Sequence, residues 1–116
     1  MPYNAHWENQ IAIYRSNRRL LVARGIHFKV FRDDVEAEIR AKLSKPDTVI
    51  FLWPPYSGRN FGPRCHQGWV MLAFELRPDA RRAEVELQNL VIKGRPVEVK
   101  RVSREAVSLQ IYSYHL

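Results

Sequence analysis

Four histidines (His6, His27, His66 and His115) and a single cysteine, Cys65, are the side chains best suited to bind a metal or to act as base or nucleophile. Their spacing supports neither role. Structural zinc sites place their ligands at short, repeated intervals. Here the only close pair is Cys65-His66, and neighbours in sequence point apart on any regular element. Asp33, Asp34, Glu36 and Glu38 offer carboxylates, but they fall where a helix begins, and a helix N-terminus attracts negative charge without any catalytic role. Gly58-x-x-x-Gly62 lacks the lysine that a phosphate-binding loop requires. The sequence therefore predicts no enzyme, no metal, no cofactor and no small-molecule substrate.

A different chemistry is better represented. The chain of 116 residues carries 19 Lys and Arg against 12 Asp and Glu, a formal charge of +7. Such an excess on a small domain favours a polyanionic partner. Aromatic residues make up 11% of the chain, and aromatic rings beside cations suit stacking on unpaired nucleobases. One cysteine excludes an internal disulfide framework. No apolar run approaches the ~18 residues of a membrane span, and the N-terminus has no signal-peptide core. These features predict an intracellular protein, in nucleus or cytoplasm, with no membrane partner.

The elements that would position these residues follow from periodicity. Residues 19–26 are short and apolar, ending near Gly25, and read as a strand. Asp33 or Asp34 offers a helix N-cap, and Val35, Ile39 and Leu43 recur at spacing four until Pro46 stops the helix. Residues 47–53 form a continuous β-branched and aromatic run, a buried strand. A long loop with Pro54, Pro55, Gly58, Gly62 and Pro63 follows. Residues 68–74 are the next strand. Pro78 suits the first turn of a second helix, whose apolar stripe is Ala80, Ala83, Leu87 and Leu90. After a turn at Lys93-Gly94-Arg95, residues 96–102 alternate as a last strand. This order predicts an α+β, ferredoxin-like sandwich: strand, helix, strand, strand, helix, strand, with a four-stranded antiparallel sheet and both helices on one face. The core spans 19–102. Residues 1–18 form an N-terminal extension, with Trp7, Ile11 and Tyr14 at helical spacing. Residues 103–116 form a C-terminal extension in which Val107, Leu109 and Ile111 alternate as in an extra strand. Both extensions are apolar enough to dock on the domain.

The segment Gln67-Gly68-Trp69-Val70-Met71-Leu72-Ala73-Phe74 resembles the RNP1 element of RNA recognition motifs. The stretch from Leu90 through Gly94-Arg95 to Val99 resembles the end of the same family, and Leu20 to Ile26 occupies the place of RNP2. In that family single-stranded RNA stacks on aromatic residues of the open sheet face. The resemblance implies that Trp69 fills the first stacking position and Met71 the second, where an aromatic is usual. The stacking position of the first strand is Leu21 or Val22, depending on register. Gln67 stands in place of the usual phosphate-binding cation. Arg24, Arg59, Arg64, Lys100 and Arg101 would supply a cationic rim, opposed by Glu98. The implied function is an RNA-binding module within a larger RNA-processing or regulatory protein, of about micromolar affinity because two stacking contacts are missing. The alternative is a protein-interaction module that keeps the fold and has lost RNA binding, with Trp69 covered by a terminal extension.

Overall fold

The computed structural model describes residues 5–55 and 65–103. Among the described residues there are three α-helices: α1 (Ala5–Ser16), α2 (Arg32–Lys42) and α3 (Arg77–Glu86). The strands are β1 (Leu20–Arg24), β2 (Val49–Leu52), β3 (Trp69–Phe74), β4 (Val91–Ile92), β5 (Arg95–Pro96) and β6 (Glu98–Arg101). Strands β2, β3, β1 and β6 lie side by side in that order, and each neighbouring pair is antiparallel. Strand β3 thus lies between β1 and β2, and β1 between β3 and β6. These two interleaved β-α-β halves are the ferredoxin-like arrangement that the element order predicts.

Alternation along β3 divides the interior into two cores. Val70, Leu72 and Phe74 face α2 and α3, where they meet Val35 and Ile39 of α2, Ala80 and Ala83 of α3, and Leu87 and Leu90 beyond it. Removing each Val, Ile, Leu or Phe side chain here from water contributes about 1.5–3 kcal/mol. Trp69, Met71 and Ala73 face the opposite way, into a second cluster with Leu20, Val22, Leu52 and Val102. That second core is closed by α1, which lays Trp7 and Ile11 on it with Tyr14 at the margin.

The chain reverses between α1 and β1 through a Schellman-type cap. Arg18 adopts a left-handed φ of 58°. The Arg19 N–H reaches back to the Tyr14 carbonyl at 2.9 Å and the Arg18 N–H to that of Arg15 at 3.2 Å, the bond pattern of that motif. Asn17 adds a side-chain bond to the Ile13 carbonyl at 2.8 Å. Arg19 then bonds the Phe74 and Glu75 carbonyls at 3.2 and 2.9 Å and lies over the Tyr14 ring, which ties the end of α1 to the end of β3.

Several expectations are refined. Helix α2 begins at Arg32 after Phe31, so Asp33 and Asp34 sit inside its first turn and not at the cap. The run 47–53 opens with a 3₁₀ turn, Pro46–Thr48, and only Val49–Leu52 is strand. The last strand is broken. Arg95–Pro96 pairs with Val91–Ile92 across a turn in which Lys93 and Gly94 both have positive φ, 51° and 79°, as a type I′ hairpin requires. Val97 sends its N–H to the Leu90 carbonyl at 2.9 Å, and pairing with β1 resumes at Glu98. Pro96 has no N–H, so it cannot donate to a ladder. The strand expected over Val107–Ile111 lies outside the described residues.

Candidate nucleic-acid interface

Trp69 and Met71 share one face of β3, as expected, but that face is not open. Trp69 is 3% exposed and Met71 is fully buried. The Trp69 ring meets Trp7 edge-on, with centroids 6.1 Å apart and planes at 67°, a favoured aromatic geometry. Trp7 thus packs against Trp69 on the α1 side of the sheet. The register also settles the choice on β1. Val22 pairs with Met71 and belongs to the α1-side cluster, whereas Leu21 pairs with Leu72 and packs toward α2 and α3. Leu21 is therefore a core residue, and Val22 occupies the face.

The cations are spread over different surfaces. Arg24 ends β1 and forms an ion pair with Glu98 on β6, its Nε donating at 2.9 Å and its Nη2 bonding the same carboxylate oxygen. The guanidinium holds the Glu98 carboxyl below its ordinary range. Lys100 is exposed on β6 opposite Val22. Arg101 follows it and, by strand alternation, turns to the other side, where it pairs with Glu84 of α3 at 3.2 Å. Arg101 is therefore a helix-side residue and not part of a rim around Trp69. Arg59 and Arg64 lie outside the described residues.

The most accessible aromatic among the described residues is one that periodicity does not mark. Phe28, in the turn between β1 and α2, is 67% exposed. One side of its ring rests on His66, with centroids 6.3 Å apart and planes at 28°. Its edge lies against Gly68, where a Cβ would come within 3.4 Å of Phe28 Cε1. Gly68 has a φ of 95°, a conformation that favours glycine, and its carbonyl accepts the Ile26 N–H at 3.0 Å.

His66 is the hub beneath this surface. It is 2% exposed. The Gly68 N–H donates to its Nδ1 at 3.0 Å, so Nδ1 is unprotonated and Nε2 donates to the Val30 carbonyl at 2.6 Å. Burial, with the Arg32 charge adding to it, lowers its pKa below the ordinary 6.5. Trp53 packs on its ring at 5.4 Å and donates to Glu36 at 2.8 Å. Arg32 lies over Trp53 and bonds the Cys65 carbonyl at 2.6 Å. The two loops at this end of the sheet are thus joined through side chains. Among the described residues no group of three or more His, Cys, Asp or Glu could hold a metal ion, and no helix is long and apolar enough to cross a membrane.

A groove of about 200 Å³ opens beside Phe28, lined also by Arg24, Gln67, Gly68, Trp69 and Arg95. A larger cleft, about 560 Å³, runs between the end of α3 and β6, but it holds the Glu98 carboxylate and no aromatic ring.

No protein-family model and no curated protein sequence matches this chain. Solved structures do. The chain is similar to the structure of the RNA-binding protein PG1, with 19% identity over 77% of this chain and 99% of that one, at a TM-score of 0.52. It is likewise similar to the second RRM domain of the yeast poly(U)-binding protein Pub1, with 12% identity over 77% and 99% and a TM-score of 0.53. This chain has the RNA recognition motif fold. In this RRM fold α1 is an addition to the β-α-β-β-α-β core, and it lies over the sheet face opposite α2 and α3.

Proposed function

We propose that this domain binds single-stranded RNA. The reading rests on one conjunction: an RRM fold on a chain with a formal charge of +7. Neutralising phosphates releases counterions and supplies affinity independent of sequence. Arg24, Lys100, Arg59 and Arg64 remain the proposed cationic contacts, and Arg101, paired with Glu84 on the helix side, is set apart from them. Trp69 and Met71 contribute only when α1 leaves the sheet. Closed, the domain lacks face stacking at ~1–3 kcal/mol per base, so its affinity is micromolar or weaker.

The covered face also favours a second reading, a protein-interaction module in which the sheet serves as core. Fluorescence anisotropy with labelled mixed-sequence single-stranded RNA separates the two. An RNA-binding domain shows saturable binding that weakens roughly twentyfold between 50 and 200 mM salt, if three phosphates are contacted at a slope of about 0.7 each. A folded domain with no binding at tens of micromolar sinks the RNA reading.

A further inference from the structure

We infer that the Phe28 groove is a nucleobase-stacking subsite at the loop end of the sheet, adjoining the face beneath α1 at Trp69. The inference rests on the RNA-binding reading and names where a base is held. Three observations on the groove converge.

The first is the ring itself. Phe28 leaves most of its surface in water, at 67% exposure. Its other side is supported by His66 and Gly68, and His66 is in turn fixed by bonds to Val30 and Gly68. The ring therefore stands on a shelf whose parts are already ordered, so a ligand stacking on it has little ordering left to supply.

The second is size and polarity. A groove of about 200 Å³ is smaller than the ~300–1,000 Å³ sites that enclose drug-sized molecules, and suits a single heterocycle. Gln67 lines it with an amide that both donates and accepts, as the edge of a base requires.

The third is charge. Arg95, on the β4–β5 hairpin, is exposed at the groove and makes no ion pair with a described residue. Lys29 follows Phe28 and is exposed as well. A base on Phe28 thus has a cation beside it for its phosphate. A planar aromatic with a phosphate matches this combination better than an apolar peptide does, since a peptide would leave the guanidinium without a partner.

The test is anisotropy with a labelled mixed-sequence octaribonucleotide on the parent, Phe28→Ala, Phe28→Tyr, Phe28→Leu and Arg95→Ala, with thermal unfolding measured on each. Phe28 is exposed, so its variants keep the parent midpoint. Stacking at Phe28 lowers affinity at least about fivefold in Phe28→Ala. Phe28→Tyr restores it and Phe28→Leu does not, because Leu supplies apolar area without a π face. Arg95→Ala reduces the salt slope by about 0.7. Equal affinity of parent and Phe28→Ala overturns the subsite and leaves RNA binding standing. Equal rescue by Tyr and Leu also overturns it, in favour of plain apolar contact. Absence of binding by the folded parent overturns both readings together.

Discussion

Replacing Trp7 with alanine is expected to lift α1 from the sheet while the rest of the domain stays folded. Helix α1 has 12 residues, a length at which an isolated helix is marginal in water, so it persists because its apolar side is docked. The docking is concentrated in two buried side chains, Trp7 and Ile11. A buried Trp→Ala change costs about 3–5 kcal/mol, whereas Ile11 alone contributes about 1.5–3 kcal/mol. Losing Trp7 therefore removes the larger share of what holds α1 down. The helix-side core, built on Val35, Ile39, Leu72 and Phe74, does not include it. Hydrogen exchange reads this directly. Amides of residues 5–16 in Trp7→Ala should exchange close to the rate of an unstructured peptide, while those of β1 and β3 stay protected. Acrylamide quenching should rise as Trp69 becomes accessible. If residues 5–16 keep their protection, Trp7 is not the anchor. If all amides lose protection together, α1 belongs to one cooperative core and is not a separable cover.

Two further perturbations test particular contacts. His66 has a depressed pKa in the fold because burial opposes its charge, so the unfolded chain takes up a proton more readily than the native one. Stability is then fully present above about 6.5 and falls as pH drops through that value toward the lower native pKa; urea midpoints should decrease from pH 7.5 to 5, and His66→Gln should flatten the dependence. Glu98→Gln removes the exposed partner of Arg24. Its effect on stability should be below ~1 kcal/mol, but RNA affinity measured by anisotropy should rise at low salt and return to the parent value at high salt, where exposed charges are screened.

The sheet was legible wherever one residue type dictated one position. Strand β3 is apolar and buried throughout, so alternation separates Val70, Leu72 and Phe74 from Trp69, Met71 and Ala73 while the likeness to RNP1 says which set faces the helices, and the structure has them so. Strand β1 could not be read in this way. All of Leu20, Leu21, Val22 and Ala23 are apolar and buried, because the sheet is covered on both sides, and a strand apolar on both faces carries no phase. Only pairing with β3 separates Leu21 from Val22. The cover itself was half legible. Trp7, Ile11 and Tyr14 mark a helix face, but a Trp69 that needs a partner accepts a base or another indole equally well, and composition does not choose. Phe28 was missed because loop residues have no period. The one signal was local: an aromatic between His27 and Lys29, where a buried ring would not be expected.

Covering the face changes what RNA binding there would cost. A ligand that needs a conformation populated only in fraction f binds with its intrinsic dissociation constant divided by f. If docking of α1 is worth about 3 kcal/mol, the open form is populated at somewhat under 1% and apparent affinity for the face falls about 150-fold. That is the worth of one to three base stacks at ~1–3 kcal/mol each, which leaves Trp69 and Met71 little net gain from a short RNA. The Phe28 groove carries no such cost, since no helix has to move to reach it. Initial contact at the loop end is therefore favoured, and the sheet face adds affinity only for a strand long enough to occupy the groove and displace α1 together. In Trp7→Ala that cost is gone, so the affinity gain over the parent should be large for an RNA that spans both surfaces and near zero for one that fills the groove alone. An equal gain for both lengths would refute the linkage.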